Sequence, residues 1–218
     1  MPTMLTDALA HPVVAGWLAA AAIGISVVLT IVFSRAVELE LIETPADASD
    51  LVGDKRDARR RSAKVNTWID FLFIACYSAL LIVVALLVVE SSAGWPRALG
   101  LFAFAVGFLT AAADVLENRA ILALLDEDPF AQSSVDRVRH WALVKWGLLW
   151  AVLGALSLPF LLRGDRFAWL GGLFAAAALV GAMGLLPMTR RLLKLAGSLL
   201  GLGLVAAVIL FLCFAESW

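Results

Sequence analysis

The stretch Gly107–Leu125, GFLTAAADVLENRAILALL, decides how the chain is read. Most of it is apolar enough for a membrane helix, yet Asp114, Glu117, Asn118 and Arg119 sit in its middle. Asp114, Glu117 and Asn118 are spaced i, i+3, i+4, which on a helix places them on one face within about one turn. Arg119 lies about 100° round from Asn118 and need not share that face. A charge in hydrocarbon costs a few kcal/mol, so two acids there demand partners or access to water.

The sequence on either side has the same character. Of 218 residues, 62% are hydrophobic and 16% charged, and mean hydropathy is +0.94. Soluble domains are about half apolar and about a quarter charged, so lipid is the expected solvent for most of the surface. A bilayer core takes about 20 apolar residues per helix. Six stretches qualify: 12–34, 67–89, 98–124, 139–162, 167–187 and 195–215. The expected fold class is an all-α polytopic membrane protein, with six transmembrane helices in one compact bundle forming a single domain over residues 1–218. The first apolar run is full length and has no basic segment before it, so it reads as a retained span and not a cleaved signal peptide.

Lys and Arg in short loops set orientation. Of the 17 in the chain, 14 fall in the first, third and fifth connecting regions, and Arg97, Arg163 and Arg166 fall on the other side. The odd connections are therefore expected in the cytoplasm and both termini outside, in the inner membrane if the source is bacterial. Trp17, Trp95, Trp169 and Trp218 lie near the outer ends of spans, and Trp68, Trp141 and Trp146 near the inner ends. That is an aromatic belt. Small residues four apart mark expected helix contacts: Gly16, Ala20 and Gly24; Ala103, Gly107 and Ala111; Gly147, Ala151 and Ala155; Gly197 and Gly201.

The loop 35–66 is the one sizeable aqueous element, partly helical and basic. SRAVELELIET continues helix one, TPADASD breaks it, and DKRDARRRSAKV feeds the second span. Arg59, Arg60, Arg61 and Lys64 would attract anionic lipid headgroups at a cytoplasmic face, or serve topogenesis alone. A net charge of −1 excludes a global field for nucleic acid. The two cysteines form no CxxC and read as small buried hydrophobes. With two histidines, a bis-histidine haem or histidine-rich zinc site is hard to build, and no cofactor or metal is expected.

Two further ionisable groups reach the depth of the opening cluster. Asp70 lies in the second span and Lys145 in the fourth. With helix exits near Leu125 and Val135, Glu117 would be about 12 Å deep and Lys145 about 15 Å. The second to fourth spans are joined by short connections and are expected neighbours. One polar layer shared by three helices follows, with Lys145 paired to Asp114 or Glu117. Tyr77, two turns deeper than Asp70, could cap it, and His140 could touch its cytoplasmic edge. Such a layer has several readings. It can be polar glue in a membrane subunit or scaffold, with a membrane-protein partner or a second copy of the chain alongside. Its carboxylates and amide suit a hard cation; Arg119 and Lys145 suit a phosphate or carboxylate headgroup. Glu117 or Asp114 could act as acid or base on a lipid. An ion- or proton-coupled transporter would need a polar route through both leaflets. Ser26, Thr30, Ser78, Thr110 and Ser157 offer only partial steps, and RALGLFAFAVGFL and KLAGSLLGLGLVA make a weak inverted repeat.

Overall fold

The computed structural model describes residues 11–32, 56–127, 129–185 and 191–217, and these are helical with short connections. Six α-helices follow in order: α1 Pro12–Val32, α2 Arg56–Ser91, α3 Trp95–Leu124, α4 Gln132–Arg163, α5 Ala168–Gly184 and α6 Arg191–Cys213, with a 3₁₀ turn at Ala215–Ser217. Four of them, over Asp57–Ser91, Trp95–Leu124, Gln132–Arg163 and Leu195–Cys213, are long and apolar enough to cross a membrane; Pro12–Val27 and Ala168–Gly184 are shorter apolar helices. Each helix overlaps one of the expected spans. α2 starts 11 residues before its span and α4 seven residues before, because charged helical turns carry no hydropathy signal. The helical part of the basic loop is thus an extension of α2 from Arg56. Residues 33–55, the remainder of that loop apart from its flanks, lie outside the described residues, as do Trp218 and Pro187.

The connections explain themselves locally. Gly94 and Gly164 adopt positive φ, 64° and 68°, a conformation that costs glycine nothing. Gly94 turns the three residues between α2 and α3, and Gly164 ends α4. Pro96 falls in the first turn of α3, where its missing N–H would have no intrahelical partner anyway, and Pro159 lies inside α4 near its C-terminal end. Asp165 accepts the Phe167 N–H at 2.8 Å ahead of α5.

Contacts group the chain into two compact units. Unit 1 comprises Met1–Ile23, Cys76–Thr110 and Trp146–Trp218. Its core is apolar, from Ala15 and Ala19 through Val84, Leu87, Leu153 and Leu156 to Phe174 and Phe211. Phe160 packs edge-on against Phe174 and Phe211, and Phe167 lies 5.4 Å from Phe211. α2, α4, α5 and α6 meet round an apolar void of about 20 Å³, whose lining offers a water no polar partner. Backbones approach closely at a few glycines. A Cβ on Gly171 would meet Leu161 N at 2.7 Å and Ser157 O at 2.8 Å, and one on Gly181 would overlap the Trp150 ring. Gly100 meets Val89 and Ala85, and Gly16 meets Leu212. Of the expected small-residue stripes, Gly24, Gly197 and Gly201 face open space, and the buried face of α1 is Ala15, Ala19 and Ala22. Small size permits a contact; which face carries it depends on the neighbour.

Unit 2 comprises Gly24–Ala75 and Ala111–Lys145. It has a separate small core of Ala63, Ile121, Leu124, Leu125, Phe130, Val135 and Val138, with Trp141 against it. α2, α3 and α4 each contribute to this core.

Candidate functional site

Three charged residues of unit 2, Asp114, Glu117 and Lys145, form a buried layer. The i, i+3, i+4 spacing on α3 does put Asp114, Glu117 and Asn118 on one inward face, and all three are buried. Arg119 is exposed, on the outward stripe that runs through Leu109, Ala112, Leu116 and Ala123. Lys145 of α4 reaches between the acids. Its Nζ is 2.6 Å from Glu117 Oε2 and 3.5 Å from Asp114 Oδ1. The three side chains are 9%, 1% and 6% exposed respectively. From the other side Asn118 Nδ2 donates to Asp70 Oδ2 of α2 at 2.9 Å, and Asp70 is half-buried. One of these contacts ties α3 to α2, and two tie it to α4.

The other sequence candidates lie elsewhere. Tyr77 falls in unit 1, half-buried against its apolar core. His140 is exposed and stacks edge-on with Trp141 at 5.2 Å. Thr110 and Ser157 donate to carbonyls of their own helices, Val106 and Gly154, which is how hydroxyls are usually satisfied in apolar helices. They therefore add no step to a polar path.

A second polar set lies toward the α3–α4 connection, and sequence reading missed its structure. Arg60 donates to the Glu127 carbonyl at 2.7 Å and stacks on Phe130 at 4.8 Å. Lys64 pairs with Asp126. Glu127 accepts from the Ser134 hydroxyl and, at 3.1 Å, from the Ala131 N–H. These bonds, the Ser134 hydroxyl first, hold the Glu127 carboxyl below its ordinary value of 4.5, with Arg137 adding attraction. The signal was available as an acid and a serine flanking a helix start. Of the four basic residues expected to meet lipid headgroups, Arg60 and Lys64 are engaged in this clamp.

Among the described residues no cluster of three or more His, Cys, Asp and Glu side chains has metal-binding geometry. Comparison with protein-family models, curated proteins and solved structures finds no match.

Proposed function

We propose that the chain is a small integral membrane subunit or scaffold, in which the Asp114–Glu117–Lys145 layer locks α2, α3 and α4 together in the cytoplasmic half of the bilayer. The observation that carries this is the seat of Lys145, 2.6 Å from Glu117 and 3.5 Å from Asp114, with all three side chains almost fully enclosed. Lys145 already occupies the position between the two carboxylates that a cation would take, and enclosure of Glu117 counts against its acting on lipid. The distribution of Lys and Arg supports odd connections in the cytoplasm and both termini outside.

Outward-facing residues change from apolar to charged or aromatic near Trp68, Arg119 and His140, which is where the hydrocarbon boundary would fall. On that footing Glu117 lies about 3 Å inside, Lys145 about 6–8 Å and Asp114 about 8 Å. The layer is then shallower than exits at Leu125 and Val135 would make it, and the turns beyond it would carry the core of unit 2 outside the membrane.

The test is a set of single and paired replacements. Lys145→Met leaves two buried carboxylates, which should cost about 3–5 kcal/mol. Lys145→Met with Glu117→Gln and Asp114→Asn should recover most of that loss. Thermal unfolding in nanodiscs reads both; a triple variant as unstable as the single would overturn the lock. One observation favours a second reading, a cation site. Two carboxylates of α3 face one ammonium of α4, and Asp70 of α2 adds a third acid through its bond to Asn118. That reading predicts unfolding temperatures that rise with Na⁺ or K⁺ in wild type and not in the triple variant.

A further inference from the structure

Unit 1 carries a second concentration of charge that the buried layer does not explain. Where α1 begins and α6 ends, a cleft of about 690 Å³ is lined by His11, Arg166 and Glu216 with Val13, Leu212 and Phe214. The volume falls within the range of small-molecule sites. Its wall is half polar side chain and half apolar, and exposed Trp17 and Trp169 stand on the helices that border it, a level at which lipid headgroups meet protein.

The two arginines of the α4–α5 turn differ. Arg163 is paired with Asp165 at 3.0 Å and stacks on Phe167. Arg166 lies 4.2 Å over the Phe214 ring, and forms no ion pair among the described residues. Stacking on an aromatic face holds a guanidinium in place while leaving its in-plane N–H donors for an anion. His11 is also set as a donor. Its Nδ1 accepts the Val13 N–H at 3.3 Å, so in the neutral ring the proton sits on Nε2. The first free amides of α1 are used, since Val14 and Ala15 donate to the His11 carbonyl. An anion here would be held by side chains. Glu216 adds one carboxylate to the same cleft.

We propose that this cleft binds the headgroup of an amine-bearing phospholipid, with the phosphate on Arg166 and His11, the ammonium on Glu216, and the glycerol end against Leu212 and Phe214. An acid in the cleft would repel a purely anionic ligand, and an arginine would repel a purely cationic one. A headgroup carrying both charges satisfies both, and a primary ammonium, unlike the quaternary one of phosphatidylcholine, has N–H groups to donate to Glu216.

Cys213 lines the same cleft and is exposed, so it can report occupancy. The full chain with Cys76→Ser would be placed in phosphatidylcholine nanodiscs with rising phosphatidylethanolamine, and the rate of Cys213 labelling by a maleimide followed. Phosphatidylethanolamine should slow labelling, and Arg166→Gln or Glu216→Gln should each weaken that protection about tenfold, the worth of one charge-assisted hydrogen bond. Both positions are exposed, so the variants should fold. Equal protection by phosphatidylglycerol, which has the phosphate without the amine, would overturn the proposal. So would equal protection by inorganic phosphate, or protection that survives both substitutions.

Discussion

Units 1 and 2 solve the same problem by different means. Unit 1 holds its helices by shape: Gly171 against the α4 backbone, Gly181 under the Trp150 ring, and a phenylalanine cluster. Unit 2 holds its helices by chemistry: an ion triad, an amide–carboxylate bond and a small apolar core with a charged rim. The difference follows from solvent. Between lipid-facing helices there is no hydrophobic gain from association, so close packing must supply the cohesion. The layer of unit 2 adds ion pairs to that packing, and on the proposed topology its apolar core lies beyond the membrane, where water restores the hydrophobic gain.

The comparison can be broken at its strongest point first. Lys145→Met should cost about 3–5 kcal/mol by stranding two carboxylates, the largest single effect expected in unit 2 by thermal unfolding. In unit 1, Gly171→Ala should cost about 1–3 kcal/mol by overpacking, because the Cβ meets backbone atoms at 2.7 Å and 2.8 Å. Gly201→Ala, with open space around it, should be neutral or gain up to about 1 kcal/mol from helix propensity. Equal losses at both glycines would mean that shape does not hold unit 1.

Smaller effects sharpen the picture at the α3–α4 connection. Glu127 has a lowered carboxyl pKa. Its contribution to stability is therefore present above the ordinary value of 4.5 and is lost as pH falls through the lower folded value. Ser134→Ala should reduce that dependence and cost about 0.5–1.5 kcal/mol as a lost side-chain hydrogen bond to Glu127, which amide exchange in residues 127–135 would read. Lys64→Ala should change stability by about 0–1 kcal/mol, since its pairing with Asp126 is solvent-exposed.

Hydropathy made the helices legible, and helical spacing made the layer legible. Six apolar runs foretold the six helices found among the described residues, and i, i+3, i+4 spacing put Asp114, Glu117 and Asn118 on one side and Arg119 on another. What was hidden depends on more than one segment. Phe130, Val135 and Val138 look like loop and helix start until Ala63 and Ile121 are brought against them. Gly171 and Gly197 are alike as letters; only the neighbour of Gly171 makes it indispensable. His11, Arg166 and Glu216 come from three distant segments, so no spacing rule could have joined them.

The three-residue turn between Ser91 and Trp95 bears on how the protein is made. Two helices of 36 and 30 residues joined so tightly enter a membrane as a hairpin. That hairpin carries Asp70 and Asn118, which bond each other, together with Asp114 and Glu117, whose ammonium partner belongs to α4. During synthesis there is thus an interval in which two acids are in place and Lys145 is not. A chain truncated before α4 should accordingly be unstable in the membrane, and the arrival of α4 should be the step that makes the hairpin permanent.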